Sequence, residues 1–371
     1  MTPTLDPATD PELARWVDCV RAARAAGTQL ALRGGGTKAF YGEAARGELF
    51  DTRALCGISS YQPGELVITA RAGTPLAELE SALAEQGQCL PFEPPRYAPG
   101  GTLGGMVAAG LAGPARATAG SVRDHVLGAT LLNGRAEVLS FGGQVIKNVA
   151  GYDVSRLLAG SMGLLGAICE VSLKVLPQPL ASATLRFELD EAKALQQLHR
   201  WGGQPLPLTA SAWWRGMLVL RLAGARAAVH AAATALGGEP VEAGDAAAFW
   251  RGLRDQQDDF FVQAAQAVAA GGRLWRLSLP VTTAPLGLAG DQLIEWGGAQ
   301  RWWVSSASDQ VVRQAATAAG GQACLFRGEL GGEASSRLAP LSPTLARLHR
   351  ALKQAFDPDG VFNPGRMVPE L

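Results

Sequence analysis

Residues 99–113 read PGGTLGGMVAAGLAG, and this stretch decides the fold. Glycine at such density costs backbone entropy, so it usually serves a close backbone approach or a left-handed turn. The residues between the glycines are small and apolar, unlike the polar composition of a disordered linker. Backbone N–H groups exposed by glycines form concavities that bind anions, and phosphate is the usual one. The stretch therefore predicts a loop that cradles a phosphate-bearing ligand.

A second glycine loop lies upstream, where residues 33–38 read RGGGTK after the apolar segment 29–32, a predicted buried strand. The flanking basic residues suit a diphosphate held from two sides. The two common nucleotide motifs are absent, because the glycines at 101–105 lack the G-x-G-x-x-G spacing and Gly-Lys-Ser/Thr occurs nowhere. A nucleotide, if one binds, is therefore held by another type of scaffold. Each loop taken alone is explained as well by a tight turn as by a phosphate-binding site.

Composition sets broad limits on the class of protein. The chain has 371 residues, 47% hydrophobic and 18% charged, which is ordinary for a globular enzyme subunit of two domains. Its formal net charge is zero, so nothing predicts a nucleic-acid partner. The N-terminus lacks a basic-then-apolar signal pattern, and no apolar run reaches the roughly 18 residues of a membrane span. We expect a cytoplasmic protein, and peripheral attachment to the inner face of the cell membrane through partners remains open.

The five cysteines are dispersed, with no two within three residues of each other. This spacing excludes local CxxC-type ligation of zinc or an iron–sulfur cluster, so we expect no metal site. A disulfide framework is not expected in a long cytosolic chain, and most of the thiols are predicted to be small buried apolar groups.

The first 178 residues alternate predicted strands and helices. Asp10 and Pro11 are good residues for the start of a helix. Asn133-Gly134 predicts a tight hairpin turn between strands 126–132 and 135–141. Further elements are predicted as strands at 48–51, 66–70 and 168–176, a helix capped by Thr74-Pro75 that runs to Leu83, and a loop with a short helix at 147–158.

The middle of the chain contains an internal repeat. Segments 228–238 (AVHAAATALGG) and 311–321 (VVRQAATAAGG) match closely, and each follows a strand-like run, at 217–222 and 301–304. This pattern predicts duplicated βαβ units and a ferredoxin-like sheet, with coincidence among alanine-rich helices as the alternative. Helical insertions are expected at 245–261, and a further helix at 341–356. Eight of the nine tryptophans lie between Trp201 and Trp303, in a core or at a subunit interface.

The order of motifs resembles the vanillyl-alcohol-oxidase-type (PCMH-type) FAD-binding superfamily and, within it, the FAD-binding subunits of bacterial glycolate oxidases. The resemblance covers the whole chain. It rests on RGGGTK at 33–38, Asp51-Thr52, AGTPLAEL at 72–79, the 99–113 stretch, SVRDHVLG at 121–128, KNVAGYDVSRLLAGSMGLLGAI at 147–168 and FDPDGVFNPGRM at 356–367.

This resemblance implies an α+β fold. A PCMH-type FAD-binding domain of two subdomains is expected over residues 1–178. A ferredoxin-like α+β cap domain with duplicated βαβ units is expected over 180–333. Residues 334–371 are expected to return to the FAD-binding domain.

The resemblance also assigns FAD as the cofactor, residue by residue. The superfamily's covalent flavoproteins carry a histidine in the first glycine loop, where this chain has Thr37, so we expect non-covalent FAD. The alternatives are plain turn glycines, a surface pair at Arg123 and Asp124, and solvated Arg33 and Lys38. The assigned residues are Arg33, Gly34, Gly35, Gly36, Thr37 and Lys38 along the pyrophosphate, Pro99, Gly101, Thr102, Gly104 and Gly105 as a second wall, Ser121, Arg123 and Asp124 near the pyrophosphate and ring system, Gly163, Gly166 and Ile168 at the adenosine end, and Asn363 beside the isoalloxazine.

On the substrate side the chain departs from its catalytic relatives. These relatives, the D-2-hydroxy-acid dehydrogenases of the superfamily, carry a Glu-His-Gly motif in the cap domain. The counterpart in this chain is Glu329-Leu330-Gly331. Leucine can neither abstract a proton nor bind a metal. The four histidines lie far apart in sequence, and only His125, beside a flavin-loop residue, is a weak candidate base, so the catalytic residues remain unknown. The other three, expected on helices, are His199, His230 and His349.

Three functions follow from these observations. The first is the FAD-binding subunit of a complex that oxidises glycolate to glyoxylate, in which a second FAD-containing subunit holds the 2-hydroxy acid and electrons pass through FAD to an iron–sulfur subunit. The second is a self-sufficient FAD-dependent dehydrogenase of D-2-hydroxy acids, of the D-lactate type. The third is an assembly scaffold with a flavin fold, which the intact glycine loops disfavour.

Overall fold

The computed structural model of the protein describes residues 5–143, 153–331 and 336–369. The chain forms two compact units, and each is assembled from separate stretches of sequence. The first joins Met1–Leu111, Ser121–Pro177 and Pro340–Leu371, and the second joins Ala112–Gly120 and Gln178–Ala339.

Secondary structure in the first half of the chain alternates short strands with short helices. In chain order the elements are α1 (Pro11–Ala26), β1 (Leu30–Arg33), β2 (Glu48–Asp51), β3 (Ile58–Gln62), β4 (Val67–Arg71), α2 (Leu76–Glu85), β5 (Gln88–Cys89), α3 (Leu103–Ala109), α4 (Arg116–Ala119), α5 (Val122–His125), β6 (Val126–Leu132), β7 (Val138–Gly142), β8 (Ala167–Lys174) and β9 (Leu176–Pro177).

The second half has longer strands and helices. Its elements are β10 (Ala181–Glu188), α6 (Glu191–Gly202), β11 (Leu208–Trp214), β12 (Met217–Gly224), α7 (Arg226–Leu236), β13 (Glu239–Val241), α8 (Ala243–Asp255), α9 (Asp259–Ala269), β14 (Arg273–Ser278), β15 (Asp291–Glu295), β16 (Gln300–Ser305), α10 (Asp309–Ala318), β17 (Gln322–Arg327) and α11 (Pro343–Phe356).

The first unit is built on a five-stranded antiparallel sheet in the order β3-β4-β8-β6-β7. Its strand β6 is buried along its whole length. A parallel pair, β1 with β2, lies in the same unit, and Leu30 of β1 also bridges to Phe362. The ring centroids of Trp16 in α1 and Phe50 in β2 are 5.2 Å apart, and those of Phe50 and Phe362 are 6.4 Å apart. The C-terminal segment therefore completes this aromatic core.

Helix α1 begins where its sequence predicts. The Asp10 carboxylate accepts hydrogen bonds from the N–H groups of Glu12 and Leu13, and Gly27 ends the helix at a φ of 66°. Helix α2 differs from the prediction, because Thr74 does not cap it. The hydroxyl of Thr74 instead hydrogen-bonds the N–H and carbonyl of Gly57.

The prediction of a hairpin was right about the two strands and wrong about the turn that connects them. Strand β7 begins at Val138, and the connection from β6 is a five-residue loop instead of a two-residue Asn-Gly turn. The Asn133 side chain accepts the N–H groups of Arg135 and Glu137, and the left-handed residue is Ala136 at a φ of 63°. Gly134 is needed for another reason: a Cβ there would lie 2.0 Å from Oδ1 of Asp357.

The second unit is organised around an eight-stranded antiparallel sheet in the order β13-β10-β12-β11-β15-β16-β14-β17. Strands β10–β13 with α6 and α7 form one β-α-β-β-α-β unit, of the ferredoxin-like type. Strands β14–β17 with α10 repeat that strand order without the first helix, and the two halves meet between β11 and β15. Helices α8 and α9 lie between the halves in sequence, where helical insertions were expected.

The tryptophan-rich region forms core, which confirms one of the two alternatives left by the sequence. Trp213, Trp250, Trp275, Trp302 and Trp303 are each less than 9% exposed. Within the described part of the chain, no helix combines the length and apolarity required to cross a bilayer.

The C-terminal segment is fixed in the first unit by a buried ion pair at the end of α11. Lys353 Nζ contacts Asp357 Oδ2 at 2.6 Å and donates to the carbonyls of Leu164 and Phe362. The Asp357 carboxylate also accepts the N–H groups of Val361 and Phe362. Burial lowers the pKa of Lys353, although Asp357 opposes that shift.

Substitution of Lys353 by Met should destabilise the first unit by about 3 kcal/mol, because it leaves the Asp357 carboxylate buried without its cation. The measurement is urea unfolding of the FAD-loaded chain. Lys193→Met is the matched control, since that lysine also pairs with an aspartate but is 70% exposed, and it should change stability by less than about 0.5 kcal/mol. Equal midpoints for the two variants would contradict the role of the pair.

Candidate cofactor site

The two glycine loops found in the sequence touch each other, backbone against backbone. A Cβ built on Gly35 would lie 1.7 Å from the carbonyl oxygen of Gly100. A Cβ on Gly34 would lie 2.4 Å from Oγ1 of Thr102. Real Cβ contacts are never that short, so Gly35, which faces backbone, accepts only glycine, and a side chain at position 34 would displace that of Thr102. The two loops therefore form two walls of one site.

The position of each loop is determined by the strand or helix next to it. The first loop leaves β1 at Arg33 and turns at Gly36, whose φ of 68° is left-handed. The second loop enters α3 through Thr102, the side chain of which accepts the N–H of Gly105. A Cβ on Gly104 would lie 2.7 Å from the Cβ of Ala72, so this glycine lets α3 approach the end of β4.

Asn363 connects the C-terminal segment to both sides of the site. Its side-chain oxygen accepts the N–H of Leu32 at 2.8 Å, and its amide nitrogen donates to the carbonyl of Met162 at 2.6 Å. A Cβ on Gly163 would lie 2.6 Å from that amide nitrogen. Residues some 200 to 330 positions apart in sequence are therefore fixed together by one side chain.

These walls enclose a cavity of about 630 Å³ within the first unit, a size in the ordinary range for cofactor pockets. Most of the residues assigned by resemblance line it. They are Arg33, Gly34, Gly35, Gly36, Thr37, Lys38, Thr102, Gly104, Gly105, Gly163, Gly166, Ile168 and Asn363.

Five assigned residues are not among those that line the cavity. Pro99 is exposed, and Gly101 accepts the N–H of Leu76. Ser121 and Asp124 form a capping box at the start of α5, which also contains Arg123. Burial alone would raise the pKa of Asp124, but hydrogen bonds from the Ser121 backbone and hydroxyl lower it. Their contact with a cofactor remains a prediction.

The cavity also has lining residues that the sequence did not single out. Arg366 is the most informative, because its guanidinium donates to the carbonyls of Ala39 and Glu43 and holds the loop after the first glycine run. The signal available in the sequence was its position in the closing FDPDGVFNPGRM segment. The others are mostly small or apolar: Ala31, Leu32, Ala39, Tyr41, Ala44, Ala45, Gly47, Leu49, Thr52, Ala72, Met106, Ala108, Ala109, Met162 and Ala167.

The charge of the lining suits a dinucleotide. Arg33, Lys38 and Arg366 are its charged residues, and no described residue that lines the cavity is Asp or Glu. A glycine-walled cavity with three cations and no carboxylate fits a pyrophosphate. Among the described residues, that lining contains no His or Cys.

The residues considered for acid–base chemistry do not gather at this site. His125 is buried, and its ring lies 5.4 Å from that of Phe92, outside the cavity lining. His199 and His230 are exposed on helices, and Nδ1 of His349 hydrogen-bonds the Leu345 carbonyl on its own helix. Among the described residues, no group of three His, Cys, Asp or Glu side chains is placed to hold a metal.

Leu330 packs in the second unit. Its side chain lies against a core cluster that includes Trp275, Leu277 and Val312. The position where catalytic relatives are expected to carry a histidine is thus used here for apolar packing.

Comparison with known proteins identifies the type of domain. A family described as "FAD binding domain" matches residues 9–142. The glycolate oxidase subunit GlcE of Escherichia coli (strain K12) is 48% identical over 344 residues, which cover 93% of this chain and 94% of that protein. The glycolate oxidase subunit GlcD of Bacillus subtilis (strain 168) is 31% identical over 120 residues, 32% of this chain and 25% of that protein.

Solved structures agree with these relatives on the fold. An alkyldihydroxyacetonephosphate synthase superposes with a TM-score of 0.66 over 94% of this chain and 74% of its own, at 16% identity. The expected α+β fold of the PCMH type is therefore confirmed, and so is FAD as the cofactor.

Substitution of Gly35 by Ala should abolish stable FAD binding, because the new Cβ would separate the two glycine loops. We expect bound flavin per purified chain, measured from visible absorbance, to fall by about tenfold or more. Gly64→Ala is the matched control, since no atom lies within 4 Å of a Cβ there. Full flavin content in the Gly35→Ala protein would show that the loop contact does not form the site.

Proposed function

The chain belongs to the family of the glycolate oxidase subunit GlcE, and we propose that it is the FAD-binding subunit of a complex that oxidises glycolate to glyoxylate. The observation that carries this proposal is the cavity of the first unit, with its glycine walls and three cations. FAD, when bound there, supplies the redox chemistry, while the protein supplies position and electrostatics.

The assigned residues would hold FAD in distinct ways. Arg33 and Lys38 would neutralise the pyrophosphate, to which Gly34 and Gly35 give close backbone access. Gly163, Gly166 and Ile168 would meet the adenosine end, and Asn363 would lie beside the isoalloxazine. Position 37 is threonine and not the histidine to which a flavin could be linked covalently, so the cofactor would be released on denaturation.

The described residues favour an auxiliary role in the oxidation itself. Leu330 packs against a core cluster, and the cavity lining includes no histidine to act as a base. The 2-hydroxy acid would accordingly be oxidised in a second FAD-containing subunit, with this chain in the electron path toward an iron–sulfur subunit. These partners would also provide any attachment to the inner face of the cell membrane.

An anaerobic visible spectrum tests this proposal. We expect the purified chain to show an FAD spectrum, to release its flavin into the supernatant on acid precipitation, and to keep its colour with glycolate or D-lactate. The co-expressed complex should bleach with glycolate. Bleaching of the isolated chain at a catalytic rate would make it a dehydrogenase in its own right. A chain that takes up no FAD on reconstitution would favour an assembly scaffold.

A further inference from the structure

A second group of polar side chains lies in the other unit, on one face of its eight-stranded sheet. Arg276 of β14 is paired in register with Trp302 of β16, and Glu295 of β15 with Gln300 of β16. Glu295 and Gln300 are only 4% and 2% exposed. Polar side chains at such depth require partners, because desolvation is costly for each of them.

Hydrogen bonds join these four side chains in one order. The Trp302 indole donates to Oε2 of Glu295 at 2.6 Å, and the Gln300 amide nitrogen donates to the same oxygen at 3.0 Å. The Gln300 amide oxygen accepts Nε of Arg276 at 2.7 Å. Gln300 thereby has a defined amide orientation, and the Arg276 guanidinium is fixed at one of its three nitrogens.

The remaining two nitrogens of Arg276 are open. The guanidinium lies 5.4 Å from the ring centroid of Trp296 and 5.9 Å from that of Trp302, so indoles restrict its position. Across the described ranges, its terminal nitrogens make no hydrogen bond and no ion pair within 4 Å. A half-buried, immobilised cation thus presents its planar fork without an anion.

The nearby acids pair with neither terminal nitrogen, although the charge of Arg276 is close enough to lower the pKa of Glu295. Glu295 is not within ion-pair distance of Arg276, and burial raises the pKa of Glu295 to about 7 although Trp302 and Gln300 donate to it. Burial also raises the pKa of Asp258, at the start of α9, to about 6. A second guanidinium, that of Arg116, lies 4.7 Å from the Trp296 ring centroid. The guanidinium groups of Arg276 and Arg116 therefore lie over the same indole ring.

We propose that Arg276 binds the carboxylate of a small organic acid, so that this chain has a carboxylate site of its own within the second unit. Two parallel N–H donors match the two oxygens of a carboxylate, a geometry that a lysine cannot reproduce. The argument for a carboxylate site does not depend on the proposed function. Only the identity of the acid, a relative of glycolate, depends on that function.

The test is calorimetric titration of the FAD-loaded full-length chain with oxalate, a redox-inert dicarboxylate. Wild type should bind, Arg276→Met should weaken binding by about tenfold or more, and Arg276→Lys should weaken it several-fold while it keeps the charge. Arg215→Met is the matched control, because Arg215 also stacks on an indole, that of Trp214, but is already paired with Asp291. It should bind like wild type.

Three results would overturn the proposal: no binding by wild type at millimolar oxalate, equal affinity in the Arg276→Met and wild-type proteins, or equal loss in the Arg215→Met protein. Inorganic phosphate is the second probe, and tighter binding of phosphate than of oxalate would also overturn a carboxylate site. If Arg276→Met fails to fold, which its flavin content and circular dichroism would reveal, the Arg276→Lys protein decides. Failure here would leave the flavin content and the activity of the complex unchanged, so it is distinguishable from failure of the proposed function.

Discussion

The cofactor site depends on one steric constraint, the contact between Gly35 and the carbonyl of Gly100. Gly35 and Gly100 are separated by 65 residues in sequence, yet no side chain lies between these two glycines. Such an approach requires glycine on the first loop and a rigid origin for each loop. Strand β1, in which Leu30 and Ala31 are buried, provides one origin, and Thr102 at the start of α3 provides the other.

The C-terminal segment is the third part of that site, and its fixation is electrostatic. Asp357 accepts two backbone N–H groups and pairs with Lys353, which places Phe362 in the aromatic core and Asn363 over Leu32 and Met162. A buried pair of this kind gains little net free energy over apolar packing. Its contribution here is to fix the path of the segment, because the two side chains bind the backbone at Leu164, Val361 and Phe362.

The sequence predicted the parts of the site that depend on local backbone geometry. Glycine density at 33–38 and 99–113 indicated both walls, since few other structures require so much glycine. Arg366 and Met162 were missed because their roles arise from tertiary packing that no local pattern encodes. The Asn133-Gly134 hairpin was wrong for a related reason: Gly134 is there to admit Asp357, a residue more than 200 positions away.

The FAD site of the first unit and the proposed carboxylate site of the second are built in opposite ways. In the first, removal of side chains creates the cavity, and the backbone and three cations define what fits. In the second, one face of the sheet carries Glu295, Gln300 and Arg276 in a chain of hydrogen bonds, and this chain ends in a guanidinium fork with which no described residue pairs. Apolar residues would pack equally well on such a face, so stability alone does not account for a polar network there. An open, immobilised guanidinium is therefore better explained by a ligand than by the fold.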